Sequence, residues 1–597
     1  MLSDFLSNKW VVFCLLVLVI FSVFGRTIWF DYVQLDEGVV LVNNQFFISK
    51  IANIFEVFKH DINYPSAVAP YYRPIFTLSF MLNSQFDRLM TGQISSNPLS
   101  YHFGNLLLHI AAVFLIFGLL RELGVQRSPS SRSDLESSKR SDLIPLLGAL
   151  IFAVHPAVTP VVAWVPGRIE AILTAFIILS FICFIRFLRT ADWRYLIGFL
   201  SSFAVALLTK EVAVALLPVL FFYYLTRRKE KGGELMTTLA SGLGAILVAW
   251  FFVRKNIIAA ASITDLSFSE MLAVWWSNSS AIFLYLGKTL LPFDLTVLPV
   301  LESSTLVYGF AALAVIAGLV LCLLKSDFNK PKSDFGMLGL VWFIVFLAPS
   351  LVSYNSPENM VFFEHRLYLP MIGILMFFSS IVGNYELRIT NLGLRKRINF
   401  ISVFAALVFF GVLSFNYSGF YRDKTVFWQK AVADSPQSFQ AHNGLATAYL
   451  TDGKDEEAMA EFTKTLEINP QVKRVHLLLG LYYLDQNQYD KAKTELEKEI
   501  EIDPQQFVAY HGLGRIYAQS KNLKEAEKNF LKTLELNRDY VLARQDLVVL
   551  YFSQNKHPQA IANLKELLKI QRPEAMHPQI LKIVEIYAKE AAQQIEF

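Results

Sequence analysis

The sequence predicts an all-α chain in two parts. Residues 1–418 read as a polytopic membrane helix bundle of about 11 spans, and 419–597 as a soluble α-solenoid. Three observations predict this. Long apolar runs follow one another up to about Tyr417. Beyond Phe420 the chain turns charged and repeats itself at a constant period. Hydrophobic residues make up 54% of the chain and charged residues only 17%, with a mean hydropathy of +0.41. A soluble globular chain carries about 25% charge, so a purely soluble enzyme is excluded, as is a disordered or collagen-like chain. A net charge of +4 is too small for this length to point to nucleic acid. The three cysteines, Cys14, Cys183 and Cys322, all sit in apolar runs, which excludes a disulfide framework and a multi-cysteine zinc site.

A spanning helix needs about 20 mostly apolar residues. The first such run, 10–29, is too long for a cleaved signal peptide and has no small-residue exit, so it reads as a retained anchor. Further runs lie near 101–120, 143–157, 170–187, 195–209, 212–226, 237–253, 305–324, 336–352, 366–382 and 399–417. The run 275–291 is interrupted by Asn278, Ser279, Ser280 and Lys288, and is expected to be re-entrant or interfacial.

Lys and Arg collect in five clusters: Arg121–Arg140, Arg186–Arg194, Arg227–Lys231, Lys325–Lys332 and Arg388–Arg397. Cytoplasmic loops carry such an excess. Placing all five in the cytoplasm puts the N-terminus there too, and the C-terminal part outside. A twelfth crossing within 253–304 would reverse the side of the C-terminal part.

The first outer loop, about 31–100, is long. In SKIANIFEVFKH, Ile51, Ile54, Phe55 and Phe58 fall at i, i+3, i+4, i+7, the pattern of an amphipathic helix. RPIFTLSFMLNSQF is too short to span. Both are expected to lie flat in the membrane interface. The cytoplasmic stretch RSPSSRSDLESSKRSD reads as a polar linker.

The C-terminal part repeats every 34 residues. Leu445, Leu479, Leu513 and Leu547 align. So do Tyr449, Tyr483, Tyr517 and Tyr551, then Ala458, Ala492, Ala526 and Ala560, then Phe462, Leu496, Phe530 and Leu564. Pro470 and Pro504 close the first two units. This is the tetratricopeptide pattern, in which large and small residues let paired helices interlock. The units are 439–472, 473–506, 507–540 and 541–574. A half-unit is expected at 424–436, and a closing helix at 576–597, since a solenoid end needs a polar cap. Asn443, Leu477, His511 and Gln545 share one first-helix position and are expected to line the concave groove.

Polar residues in the membrane part are few, and a charge inside a bilayer costs several kcal/mol. Asp36 and Glu37 follow the first span. Then come Arg73 in YYRP, His102 and His109 in YHFGNLLLH, and His155, Arg168 and Glu170 in HPAVTPVVAWVPGRIE. Lys210 and Glu211 occur in LLTKE, and Glu364, His365 and Arg366 in FFEHRLYLP. Most fall at the outer end of a span. An acidic pair facing several cations suits a reaction that releases phosphate. The carboxylate takes a proton from an acceptor hydroxyl, and the cations stabilise charge growing on the leaving group. Blander roles stand beside these. The histidines suit packing inside the bundle, Lys210–Glu211 a structural ion pair, and Tyr72-Arg73-Pro74 a helix start.

The ordered set LDE, YYRP, HFGNLLLH, HPAVTPVV, GRIEAI, LLTKE and EHRLYLP resembles the transmembrane-and-TPR O-mannosyltransferase family and its bacterial relatives. More broadly it is similar to the GT-C superfamily of polyprenyl-phosphate-sugar transferases. The resemblance implies a GT-C-like fold and transfer of a sugar from a lipid-phosphate donor to an acceptor outside the cytoplasm, a protein Ser or Thr hydroxyl held by the repeats. It implies Asp36 as catalytic base with Glu37 beside it. Arg73, His155, Arg168, Lys210 and Arg366 would lie near the lipid phosphate, supported by His102, His109, Glu170, Glu211, Glu364 and His365. A divalent metal is left open by the superfamily. The implied location is a bacterial plasma membrane, or the endoplasmic reticulum in a eukaryote. Two departures leave sugar and acceptor undefined: Pro160 stands where the family has Glu, and Glu364-His365-Arg366-Leu367 differs from its usual motif. The rival readings are an O-antigen-ligase-like oligosaccharide transferase and a non-enzymatic transporter or TPR scaffold. The first needs a large late outer loop where 353–365 is short, and the second has no need of Asp36, Arg73 and Lys210.

Overall fold

The computed structural model describes residues 8–42, 44–62, 71–92, 97–124, 142–227, 233–258, 267–300, 304–325, 335–352, 361–386 and 392–570. The expected closing helix 576–597 and the linker 127–141 lie outside these residues. The chain forms two compact units, Met1–Pro436 and Gln437–Phe597. Both are helical, and the only pairing of extended backbone among the described residues is the isolated bridge Val300–Val361.

Each of the eleven expected apolar runs is mostly helical. Among the described residues five helices are long and apolar enough to cross a membrane: Trp10–Trp29, Pro98–Gly124, Val165–Thr190, Thr237–Ile258 and Phe404–Tyr421. Shorter apolar helices, among them Trp193–Thr209 and Met371–Val382, fill the bundle between them. The first helix shows why the whole run is apolar. Val12, Leu16, Ile20 and Phe24 are buried against the bundle, while Phe13, Leu18 and Phe21 stay exposed on the other side. Lipid tails are as apolar as leucine, so the outward face has no reason to be polar. Helices Phe335–Leu347 and Met371–Glu386 touch backbone to backbone at Gly339 and Gly373. A Cβ at Gly339 would stand 2.3 Å from the Gly373 carbonyl oxygen, so only small residues allow this approach.

Two runs depart from a simple helix. The run 143–157 ends its helix at Val154, and the following pieces are bent by 58° against it. The cause is Pro156, because the residue before a proline is pushed out of the helical region; His155 sits at φ −67°, ψ 133°. The run 275–291 is a helical pair, Phe268–Ser277 and Ala281–Leu290, broken at 278–280. Ten residues of helix rise about 15 Å, half of a bilayer core, so neither piece spans.

The first outer loop corrects one expectation. SKIANIFEVFKH is not one amphipathic helix but two single 3₁₀ turns, Ile51–Ile54 and Glu56–Lys59. Val57 faces inward, whereas Ile51 and Phe55 of the expected stripe are exposed. Tertiary packing of Val57 and Ile62 against Phe76 and Phe80 overrides the 3.6-residue period. The second segment is a helix, Pro74–Thr91. It buries Phe76, Phe80 and Met81 and exposes Leu82, Phe86, Leu89 and Met90. That two-sided apolar character fits a helix between protein and lipid.

The second unit holds four helix pairs from Phe439–Thr451 to His557–Ile570. The large/small pattern is physical: a Cβ at Gly480 would meet the Leu496 side chain at 2.7 Å, and Ala458, Ala492 and Ala526 are fully buried. The helix expected as a half-unit, Lys424–Asp434, clusters with the first unit.

The turn inside each repeat places one residue in the left-handed region, at Gly453 (φ 71°), Asn487 (57°), Lys521 (59°) and Asn555 (58°). Glycine and asparagine adopt this readily, and a lysine costs up to about 1 kcal/mol more. Lys521→Asn is therefore expected to stabilise its turn by about 0.5 kcal/mol, slowing amide exchange across 519–523 roughly 2-fold. Lys521→Val, β-branched, should accelerate it.

Candidate active site

The loop that carries Asp36 and Glu37 follows directly from the first helix. That helix ends in the 3₁₀ turn Gly25–Trp29, and the chain then runs extended to Gln34. Gln34 takes a left-handed φ of 58°, a sparsely populated conformation for a non-glycine residue and one found at functional sites. The turn it starts is closed by Glu37, whose carboxyl accepts the backbone N–H of Leu35 at 3.0 Å and of Asp36 at 3.3 Å. Glu37 is thereby buried and occupied with its own backbone. Asp36 keeps open access, and among the described residues no hydrogen bond reaches its carboxylate.

The two carboxyls differ electrostatically. Burial pushes Glu37 up to about 7, with Asp36 adding and the loop N–H groups opposing. Asp36 is reachable from outside yet lies deep among protein atoms, and these push its carboxyl above the ordinary range while Arg73 pulls it back. Arg73 is thus the cation whose field reaches the free carboxylate.

Arg73 stands just before Pro74, which opens the Pro74–Thr91 helix. Its guanidinium donates to Glu211 at 2.8 Å through Nη2 and at 3.4 Å through Nε, and lies over the Tyr71 ring at 4.3 Å. Lys210 caps the Trp193–Thr209 helix with extended backbone, φ −160°, ψ 138°. Consecutive side chains on extended backbone point opposite ways. So Lys210 and Glu211 do not pair with each other: Lys210 binds Glu170, and Glu211 binds Arg73. Arg366 is half-buried. It donates to the Ser350 carbonyl at 3.3 Å and lies 5.9 Å from the Phe363 ring centre, and it has no ion pair among the described residues. His365 is held well below its ordinary pKa by burial, aided by the positive charges of Lys210, Arg366 and Arg73. This one imidazole therefore feels all three cations. It is neutral, and it packs between Phe363 and Trp164, with ring centres 5.2 and 5.3 Å away.

Other expected residues are occupied elsewhere. Arg168 is fully buried. It donates to Asn105 Oδ1 (2.8 Å), Asn83 Oδ1 (2.5 Å) and the carbonyls of Tyr101 (2.6 Å) and Ser79 (3.4 Å). A fully buried guanidinium with four of its five N–H donors bonded to neutral oxygens suits a structural role. His155 shares its ring between the Ala157 N–H (3.2 Å) and the Thr289 carbonyl (3.0 Å), pinning the bend at Pro156. His109 joins Tyr368 Oη (2.7 Å) to the Ala153 carbonyl (3.1 Å). His102 is buried beside the Phe30 ring. Of the pair His102 and His109, weighed as packing histidines, His109 has bundle hydrogen bonds, and neither ring nitrogen of His102 has one among the described residues. Glu364 is buried and accepts from Lys288 Nζ (2.6 Å), the Thr296 N–H (3.1 Å) and Tyr417 Oη (2.7 Å). Lys288, read in the sequence only as an interruption, was the signal for this pair, since a lone lysine in an apolar run needs a buried partner.

In the second unit the expected groove positions are uneven. Asn443 and Gln545 are half-buried, and Leu477 and His511 are covered. His511 is paired with Asp546 at 2.8 Å. Among the described residues no three His, Cys, Asp or Glu side chains gather as metal ligands. No step below is routed through a metal.

Residues 143–254 match the family of dolichyl-phosphate-mannose-protein mannosyltransferases, and 426–472 and 477–541 match the tetratricopeptide repeat. The human protein O-mannosyl-transferase TMTC4 is 26% identical over 444 residues, 65% of this chain and 56% of that protein. The chain is similar to the transmembrane-and-TPR O-mannosyltransferases. Protein O-mannosyl-transferase F38B6.6 of Caenorhabditis elegans is 22% identical over 67% of this chain and 54% of its own length. Tmtc1 of Drosophila melanogaster is 34% identical over 146 residues, 24% of this chain and 14% of that protein. The chain spans about half the length of the first two of these relatives. The mannosyltransferase match contains Arg168, Glu170, Lys210 and Glu211; Asp36, Arg73 and Arg366 lie outside it.

The two neighbouring carboxyls are separable by experiment. Asp36→Asn is expected to lower transfer about 10²–10⁴-fold, the usual loss for a positioned base. Glu37→Gln keeps an acceptor oxygen for the loop N–H groups and should hold transfer within about 10-fold of wild type. Because the base must be ionised, kcat should fall as pH is lowered, with a midpoint above the ordinary aspartate value of about 3.9. A Glu37→Gln enzyme as inactive as Asp36→Asn would assign the base to the wrong residue.

Proposed function

We propose that the chain is a membrane glycosyltransferase that moves a sugar from a polyprenyl-phosphate donor to an acceptor hydroxyl outside the cytoplasm. The observation that carries this reading is the unbonded Asp36 carboxylate within the field of Arg73. The acceptor oxygen attacks the anomeric carbon as its proton passes to Asp36. The bond from that carbon to the phosphate oxygen breaks, and polyprenyl phosphate leaves with the electron pair. The cations that His365 senses stabilise the leaving charge. Similar proteins named protein O-mannosyl-transferases support a protein oxygen as the acceptor and mannose as one candidate sugar, and a Ser or Thr hydroxyl is the acceptor proposed. The two basic-loop and outer-end patterns support a site outside the cytoplasm, in a bacterial plasma membrane or the endoplasmic reticulum.

The charge balance favours a donor with one phosphate. Arg73 and Lys210 are each already paired with a glutamate. Arg366 is the one cation of this cluster without an ion pair among the described residues. A phosphodiester-linked sugar carries one charge, whereas the diphosphate-linked donors of an O-antigen-ligase-like enzyme carry two. Guanidinium matches phosphate in shape, so Arg366→Ala should raise the donor KM about 10-fold and leave the acceptor KM nearly unchanged. Equal effects on both would remove Arg366 from the donor site.

The repeats are assigned to the acceptor. Stacked tetratricopeptide units form an extended concave surface suited to polypeptide, and tethering raises the local acceptor concentration. Deleting 437–597 should impair transfer to a protein acceptor while donor binding is retained. Full-rate modification of the natural acceptor by the truncated protein would limit the repeats to docking other partners.

A further inference from the structure

Two anchors of the site converge on one short segment of chain. At one end, Tyr417 Oη donates its single proton to Glu364 at 2.7 Å and lies 3.0 Å from the Thr296 carbonyl oxygen. Glu364 lies two residues before Arg366 on the same 3₁₀ turn, Glu364–Leu367. At the other end, Trp428 Nε1 donates to the Val33 carbonyl at 3.1 Å. The Asp31 N–H donates to the Arg422 carbonyl at 2.9 Å. Both of these bonds fall within the loop that leads to Asp36. Between the ends runs a continuous file of rings. Tyr417–Tyr421, Tyr421–Phe427 and Phe427–Trp428 have centres 5.8, 5.3 and 5.2 Å apart. All four side chains are buried.

We infer that segment 417–428 is a rigid spacer that sets the separation between the base Asp36 and the phosphate-facing Arg366, with Trp428 and Tyr417 as its positioning residues. The inference rests on the function proposed above. Buried edge-to-face rings resist displacement because protein interiors are close-packed. Each end holds its client by a hydrogen bond that a phenylalanine would delete; Tyr417→Phe keeps the ring, whereas Trp428→Phe also removes part of a buried indole. Neither residue touches substrate in this account. Each acts through the loop or turn that it fixes, and misplacement of about 1 Å costs up to about 10²-fold in rate.

The test uses the full-length protein in detergent, a short-chain polyprenyl-phosphate sugar and a Ser/Thr peptide, with Trp428→Phe and Tyr417→Phe compared at equal folded concentration. Trp428→Phe should lower kcat about 10-fold with the donor KM within about 2-fold of wild type. Tyr417→Phe should raise the donor KM about 10-fold with a smaller change in kcat. Wild-type constants in either variant would overturn the spacer, and so would parallel losses in both constants. Failure of the underlying function shows separately, as full turnover by Asp36→Asn.

Discussion

Charge at the edge of a bilayer is tolerated only where it is matched, and the rest of this site depends on how the matching is arranged. Lys210 and Glu211 are neighbours in sequence, but the extended backbone at Lys210 sends them to opposite sides. Each then pairs with a residue from a different element, Glu170 on the helix that starts at Arg168 and Arg73 before the Pro74–Thr91 helix. Three segments far apart in sequence are thereby tied at the same end of the bundle. Breaking either pair would strand a partly buried charge, which costs more than the pair itself contributes. This crossed pairing consumes two of the cations, and it leaves Arg366 and Asp36 as the groups with charge to offer a ligand.

The same logic separates Asp36 from Glu37. Adjacent acids on an exposed loop would be interchangeable. Here the left-handed Gln34 turns the chain so that Glu37 folds back onto the N–H groups of Leu35 and Asp36. One carboxyl becomes part of the turn, and the other is presented. Such internal bracing fixes where the Asp36 carboxylate stands, because a loop backbone is otherwise free to move.

Much of this was legible in the sequence. The eleven apolar runs and the 34-residue register follow from periodicity alone, since lipid exposure and solenoid stacking each impose one rule on many residues. The outer-end polar residues could be found because a charge near an apolar run is rare. What sequence could not give was partnership. Arg168 and Arg73 look alike in the sequence, yet one is surrounded by neutral oxygens and the other by carboxylates. The stripe at Ile51–Phe58 has helical spacing, but only packing against Phe76 and Phe80 decides that it forms two turns. Trp428 carried the signature of a repeat helix. Nothing local reveals that its indole reaches a carbonyl 395 residues away.

Transfer of sugar from a lipid phosphate can be measured by reconstituting the full-length protein in liposomes with a radiolabelled polyprenyl-phosphate mannose and a Ser/Thr-rich peptide. Wild-type protein should place label on the peptide, released by β-elimination, and Asp36→Asn protein of equal fold should not. Label appearing equally with wild-type and Asp36→Asn protein would contradict this expectation. So would folded wild-type protein that transfers no label from any polyprenyl-phosphate sugar.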